Sequence, residues 1–166
     1  MRILGIDPGI ARCGWGIIEE IKNEKLKIKN FGCIETAPGI DVERRLKTIY
    51  DSVSDTIKKY KPNVLAIEEL FFNTNAKTAF IVGQARGVVL LASSENNLPV
   101  AIYTPLQVKI AVTGYGRADK NQIGQMVKTI LKLKTIPKPD DVSDALAVAL
   151  THAFSKKMRS YVKAIR

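Results

Sequence analysis

The sequence is poor in the residues that build zinc sites, disulfide scaffolds and membrane spans. Its 166 residues include two cysteines and one histidine. Cys13 and Cys33 lack metal-ligand spacing, and we expect them to be small, buried or half-buried residues in a reducing compartment. No stretch approaches the roughly 18 consecutive apolar residues that a membrane-spanning helix needs. These shortages argue against a zinc centre, a disulfide-stabilised fold and a transmembrane protein.

Acidic residues are also scarce relative to basic ones. Lys and Arg number 26 against 16 Asp and Glu, which gives a formal net charge of +10. The sequence pI of about 9.7 is typical of proteins that bind nucleic acid. Because the N-terminus also lacks the basic-then-apolar pattern of a secretion signal, we expect a cytoplasmic protein.

The remaining composition is that of an ordinary globular domain. Apolar residues make up 46% of the chain and charged residues 25%, and 166 residues can bury one sizeable core without metals or disulfides. We find no internal repeat or linker. We therefore expect a single domain over residues 1–157, followed by a basic tail without acids over residues 158–166.

The first 60 residues change from a strand pattern to a helix pattern. A short apolar run over 2–7 and two alternating segments, 13–19 and 25–29, predict three strands in an antiparallel meander. Between 41 and 60, apolar residues recur every three or four positions, which predicts an amphipathic helix that lies on the sheet.

A second apolar run, over 64–67, follows this helix and stops at Glu68. A strand that returns through a helical crossover is usually parallel to an earlier strand. Glu68 would then leave the sheet at the same edge as Asp7, which ends the first strand. A fifth strand is predicted over 100–103, so the expected fold is an α/β domain with a five-stranded mixed sheet flanked by helices.

The helices of the second half carry three distinct patterns. The segment 76–96 is apolar nearly all round, which fits either a helix that binds a dimer partner or a fully internal helix. A helix begins after the capping sequence Thr104-Pro105-Leu106-Gln107, and another begins near Asp119. The last helix begins near Asp140.

Four acidic residues are candidates for chemistry. Asp7 and Glu68 end strands, and Asp141 and Asp144 share a helix face because they are three residues apart, while Asp140 suits the N-cap. The alternatives are that Asp7 belongs to a simple turn and that the helix acids only serve the cap and the dipole. If the four converge, their oxygen-only set favours Mg²⁺ or Mn²⁺. Two such ions hydrolyse phosphodiesters in many nucleases.

Three further residues are candidates for contact with nucleic acid. Lys120 lies in the first turn of a helix, where the dipole disfavours a cation unless a phosphate offsets it. Lys109 lies among aliphatic residues, from which its amine can reach outward. Phe71 follows Glu68 by three residues and could stack on an unpaired base. His152 is two helical turns from Asp144, and we expect a structural role for it.

Several motifs in order resemble the RuvC family of Holliday junction resolvases, and the likeness covers essentially the whole chain. The motifs are Gly5-Ile6-Asp7-Pro8-Gly9, Ala66-Ile67-Glu68-Glu69-Leu70-Phe71, Gly83-Gln84-Ala85-Arg86-Gly87, Pro105-Leu106-Gln107-Val108-Lys109 and Asp141-Val142-Ser143-Asp144-Ala145-Leu146-Ala147. The resemblance implies a ribonuclease-H-like fold, a homodimer and Mg²⁺-dependent paired nicking of four-way DNA junctions, together with the branch-migration proteins RuvA and RuvB.

The resemblance also assigns roles to the candidate residues. It implies that the four acids Asp7, Glu68, Asp141 and Asp144 bind the metal, with two ions per site, and that Mn²⁺ can replace Mg²⁺. Some relatives have His in place of Asp141. It further implies that two lysines contact phosphates and that one aromatic residue stacks at the junction: Lys109, Lys120 and Phe71.

Two other functions fit part of the pattern. A DNA-architectural protein could bind junctions without cutting them, although it would have no reason to place carboxylates near phosphates. A small actin-like phosphotransferase would share the aspartate at the end of the first strand, but it would need a second nucleotide-binding half, and the chain has no P-loop signature.

Overall fold

The computed structural model describes residues 1–21, 25–69 and 76–164, and it describes side chains up to residue 156 except for 76–78. The described residues form a mixed sheet and five helices. In chain order the elements are β1 (Arg2–Asp7), β2 (Arg12–Glu20), β3 (Leu26–Glu35), α1 (Val42–Tyr60), β4 (Val64–Glu68), α2 (Ala76–Glu95), β5 (Val100–Tyr103), α3 (Pro105–Thr113), α4 (Lys120–Ile130) and α5 (Asp140–Ala164).

The sheet has the strand order β3-β2-β1-β4-β5. β1, β2 and β3 pair antiparallel, and β4 pairs parallel with both β1 and β5. The expected five-stranded mixed sheet, its initial meander and its parallel crossover are therefore confirmed. In the parallel ladder, Ile6 lies opposite Ile67, which places the ends of β1 and β4 side by side.

Both faces of the central strands are buried, which explains their continuous apolar sequences. Ile3 belongs to the core on the side of α3, α4 and α5, whereas Leu4 and Ile6 belong to the core under α1 and α2. Ile3, Leu4 and Ile6 are fully buried. Burial on both faces fixes the strand register, because a one-residue slip would exchange the two sets of side chains.

Helix α5 lies against the sheet at positions that lack side chains. A Cβ atom at Gly5 would lie 2.0 Å from the carbonyl oxygen of Ala145, and one at Gly14 would lie 2.1 Å from that of Asp141. Such distances are far below van der Waals contact. These two glycines therefore allow the first turns of α5 to approach the ends of β1 and β2.

Helix α2 is buried on one side and exposed on the other. Ala85, Val89 and Ala92 are fully buried against the core, but Phe80 and Leu91 are 69% and 52% exposed. The fully internal alternative for this helix is therefore wrong.

Two further details bear on the sequence expectations. α5 continues to Ala164 and so passes the expected start of the basic tail at residue 158. Among the helices in the described ranges, none combines the length and the apolar character needed to cross a membrane.

Candidate active site

Asp7 and Glu68 lie at neighbouring strand ends, as the parallel crossover predicts. Each is the last residue of its strand, β1 or β4, and each is half-buried. The Glu68 backbone is held further by Arg86 of α2, whose Nε donates to the Glu68 carbonyl oxygen over 3.4 Å. The rigid centre of the sheet therefore fixes the positions of both carboxylates.

Helix α5 brings Asp144 to the same place. A cleft of about 320 Å³ is lined by Asp7, Glu68 and Asp144 together with Lys109 of α3 and Lys120 of α4. Five of the seven candidate residues thus meet in one cavity, although they come from five different elements.

Asp141 lies beside this cluster rather than in the cleft wall. Its charge contributes to the raised pKa of Asp7, so the two carboxylates are electrostatically coupled. Its Oδ2 atom lies 3.8 Å from Nη1 of Arg12, at the start of β2. Phe71 lies outside the described residues, and its stacking role stays a prediction.

The carboxylates raise one another's proton affinity. The pKa of Asp7 is raised to about 7, mainly by burial and further by the charges of Asp144, Asp141 and Glu68, while Lys120 opposes the rise. Burial and Asp144 also raise the pKa of Glu68, which Lys120 and Lys109 lower. Excess negative charge is thus concentrated at one edge of a protein whose net charge is +10.

Lys120 supplies the positive charge nearest to the acids. Its Nζ lies 3.1 Å from Oδ2 of Asp144, and this hydrogen bond raises the pKa of the lysine. The unfavourable position of Lys120 in the first turn of α4 is therefore compensated by Asp144 within the chain itself. A phosphate is not required to explain it.

The donor set fits a hard divalent cation by its chemistry. Asp7, Glu68 and Asp144 offer only carboxylate oxygens, which suit Mg²⁺ or Mn²⁺, and a cation would relieve their mutual repulsion. In the side chains that the structure describes, no group of three or more His, Cys, Asp or Glu residues is yet arranged to hold a metal ion. Lys120 makes its ion pair with one of these carboxylates.

The structure corrects one detail and adds two residues. Asp140 is the first residue of α5 rather than its N-cap, and its carboxylate accepts from Lys138 Nζ over 2.6 Å, which lowers the pKa of Asp140. Arg12 and Arg86 were not singled out from the sequence. Arg86 lies in one of the family motifs, whereas no signal in the sequence marks Arg12.

His152 and the cysteines have structural surroundings. His152 Nδ1 lies 2.8 Å from the hydroxyl of Tyr103, which agrees with the structural role expected for it. Cys13 is buried in the core under α1, and burial raises the pKa of its thiol to about 12. Cys33 packs against the core on the α5 side of the sheet.

Comparisons with known proteins agree over most of the chain. The family model described as "Crossover junction endodeoxyribonuclease RuvC" matches residues 3–152. The protein of that name from Desulforamulus reducens is 58% identical over 153 residues, covering 92% of this chain and 93% of the relative. The one from Clostridioides difficile is 53% identical over 165 residues, covering 99% and 97%.

A solved structure extends the agreement to three dimensions. The structure described as Thermus thermophilus RuvC in complex with Holliday junction substrate superimposes with a TM-score of 0.90 at 38% identity, covering 96% of this chain and 97% of the other. The expected ribonuclease-H-like fold is thereby confirmed. The chain belongs to the RuvC family of crossover junction endodeoxyribonucleases.

Proposed function

We propose that the protein is a structure-selective endonuclease that resolves four-way DNA junctions by nicking opposite strands, in homologous recombination and DNA repair. The observation that carries this proposal is the convergence of Asp7, Glu68 and Asp144 with Lys109 and Lys120 in one cleft. The relative solved with a Holliday junction supports the choice of substrate.

In this proposal the four acids hold the catalytic metal and the two lysines hold the DNA. Asp7, Glu68 and Asp144 would bind Mg²⁺, with Mn²⁺ as a substitute, and Asp141 would complete the set for two ions. When bound, the ions activate the attacking water and stabilise the leaving oxygen. Lys109 and Lys120 line the cleft, and their amines would bind the phosphates of the strand to be cut.

Lys120 has a second part in the same scheme. A cation that binds Asp144 would compete with the Lys120 ammonium, which now lies 3.1 Å from that carboxylate. Because the lysine side chain is long and 76% exposed, its amine can turn from the carboxylate to a phosphate oxygen. Metal binding and DNA binding would then favour each other at this residue.

Cleavage of a synthetic four-way junction tests the function directly. We expect cleavage of two opposite strands with Mg²⁺ or Mn²⁺, none in EDTA, and little cleavage of a linear duplex of the same sequence. Binding of the junction without cleavage in either metal would support the architectural alternative. Failure to bind any junction would contradict both functions.

We also propose a homodimer that uses helix α2. Two large apolar side chains of α2, Phe80 and Leu91, are exposed. A Cβ atom at Gly83 or Gly87 would meet nothing within 4 Å, so the helix has room for the close approach of a second backbone. A dimer would place two clefts on one junction, as paired nicking requires.

The dimer can be tested by sedimentation at micromolar concentration. Leu91→Glu places a charge on the exposed face of α2, and we expect it to give monomers. The control is Ile40→Glu, since Ile40 is also exposed, at 46%, but lies in the loop before α1. A monomeric wild-type protein, or a dimer that Leu91→Glu leaves intact, would count against this interface.

The remaining assignments rest on the family resemblance and on the sequence composition. We place the protein in the cytoplasm, in cooperation with the RuvA and RuvB branch-migration proteins. We assign the nuclease activity to residues 1–157. The basic segment 158–166 would attract the phosphate backbone of the DNA. Phe71 would stack on a base at the junction.

A further inference from the structure

A second cavity adjoins the cleft on the other side of Lys120. It measures about 220 Å³ and lies between the first turn of α4, with Lys120 and Asn121, and the start of α5, with Asp140 and Ser143. Lys120 and Asp144 line both this cavity and the cleft. A group bound in the second cavity would therefore lie directly beside the group bound in the cleft.

The cavity collects groups that donate hydrogen bonds to anions. The N-terminal ends of α4 and α5 both meet it, and the N-terminus of a helix carries a partial positive charge. Lys120, Lys138 and the Asn121 amide add charged and neutral donors. Its two acids already have cationic partners: Lys138 Nζ lies 2.6 Å from Asp140, and Lys120 Nζ lies 3.1 Å from Asp144.

The buried hydroxyl of Ser143, in the wall of this cavity, is a second reason to expect a ligand, and it does not depend on the helix ends. Ser143 is only 5% exposed, and its Oγ has no hydrogen-bond partner in the part of the chain that the structure describes. Oγ lies toward Gly124, where an added Cβ would be 3.5 Å from it, and Gly124 also lines the cavity. Burying a hydroxyl without a partner is unfavourable unless a ligand supplies one.

We propose that this cavity binds a phosphodiester of the cleaved strand adjacent to the one that is cut, through Ser143, Lys138 and the N-terminal ends of α4 and α5. The inference rests on the proposed nuclease function and adds a phosphate subsite to it. A phosphate group has enough acceptor oxygens to accept from the serine hydroxyl and a lysine together. The subsite fixes the direction of the strand through the cleft.

The first test uses the opposite effects of Ser143→Ala on stability and on binding. Removing a buried hydroxyl without a partner should raise the melting temperature. Loss of the phosphate contact should weaken binding of a four-way junction in EDTA about tenfold, in line with a hydrogen bond to a charged group. Ser54→Ala is the control, since Ser54 is a buried serine of α1 on the other side of the sheet, and it should leave binding unchanged.

The second test separates phosphate binding from the ion pair of Lys138. If Lys138 only neutralises Asp140, then Lys138→Gln and Asp140→Asn should change junction binding in the same direction. The subsite predicts opposite signs: Lys138→Gln weakens binding about tenfold and lowers the salt dependence by about one phosphate contact, whereas Asp140→Asn strengthens binding. The control is Lys134→Gln, an exposed lysine in the same loop that does not line the cavity.

The third test identifies the phosphate. Neutral methylphosphonates replace the phosphodiesters on either side of the cut, one at a time, and the cleavage rate of each junction is measured with wild type and Lys138→Gln. If the two changes remove one interaction, their effects combine less than additively at one neighbouring position. Protection of wild type, but not of Lys138→Gln, by inorganic phosphate without such coupling would assign the cavity to free phosphate and overturn the proposal.

The proposal fails separately from the nuclease function. A wild-type protein that cuts junctions but shows no coupling at either neighbouring phosphate would overturn the subsite alone. A wild-type protein that cuts no junction would overturn the nuclease function as well. Unchanged binding in Ser143→Ala, with Lys138→Gln equal to Lys134→Gln, would also overturn the subsite.

Discussion

Asp7 and Glu68 end two adjacent parallel strands, whereas Asp141 and Asp144 lie one turn apart on α5. The strand pair is half-buried, and burial is the largest cause of the raised pKa values of both groups. The helix pair lies within ion-pair distance of Arg12 and Lys120. The sheet thus holds two carboxylates rigidly in positions where their negative charge is unfavourable. The two helix carboxylates already face a cationic side chain, which a metal ion would have to replace.

The largest expected effect is at the strand pair. Asp7→Asn removes a proposed metal ligand, and we expect junction cleavage to fall at least about 1,000-fold because bound metal supplies several kcal/mol of transition-state stabilisation. Junction binding in EDTA should be retained or strengthened, since a charge that faces phosphate is lost. The control is Asp51→Asn, on the exposed side of α1, and cleavage by the Asp7→Asn protein would contradict the assignment.

A smaller difference should separate the two helix acids. Asp144 lines the cleft with Asp7 and Glu68, but Asp141 does not. We expect Asp144→Asn to approach the loss seen for Asp7→Asn. Asp141→Asn should lose less, about 10- to 100-fold, as at the margin of a metal site, because this proposed ligand lies outside the cleft wall and already faces Arg12. Single-turnover cleavage rates at saturating Mg²⁺ measure both. Equal losses would contradict this difference between the two helix acids.

The lysines should affect binding more than chemistry. Lys109→Gln and Lys120→Gln each remove one phosphate contact, so each should weaken junction binding about 10-fold and lower the salt slope by about one. Lys120→Gln should also raise the affinity for Mg²⁺ in the absence of DNA, because it removes the ammonium that competes for Asp144. Titration calorimetry with metal alone checks this, and an unchanged metal affinity would remove Lys120 from that role.

The smallest effect is on stability and depends on pH. The pKa of Asp7 is raised from 3.8 to about 7, so in EDTA the contribution of Asp7 to stability is full below about pH 4 and is lost as the pH rises through about 7. The upper limit is about 4 kcal/mol, and solvent screening of this half-buried group makes the contribution smaller. Asp7→Asn should therefore be the more stable protein at pH 8, and its advantage should vanish at pH 4 in urea unfolding.

The proximity of Asp7 and Glu68 could be predicted from the sequence. The cationic partners of Asp141 and Asp144 could not. Two short apolar runs, each ending at an acid and separated by a helical crossover, force Asp7 and Glu68 to one sheet edge. Asp141 and Asp144 share a face by spacing alone. No local pattern pairs Arg12 with Asp141, because this contact joins β2 to α5 across 128 intervening positions, and only the packed fold brings them within 3.8 Å.

The sequence pattern also did not determine which sides of the helices are buried. Helix α2 is apolar on all sides, and only the structure reveals which side is covered, with Ala85 buried and Phe80 exposed. Ser143 looks like an ordinary residue of a helix start, and its buried hydroxyl becomes noteworthy only when α4 is packed beside it. Asp140 was expected to cap α5, but Lys138 offers it a closer partner.

The contact of α5 with the sheet at Gly5 and Gly14 has a consequence for the spacing of the acids. The gap between the strand acids and the helix acids is set by two residues with no side chain, since a Cβ atom at either would overlap the α5 backbone. The two glycines therefore set the distance between the strand acids and the helix acids, and the acids supply the charge. An alanine at Gly14 would place its Cβ atom 2.1 Å from the Asp141 carbonyl oxygen, so α5 would have to move and would carry Asp141 and Asp144 away from Asp7 and Glu68 without a change in any acid.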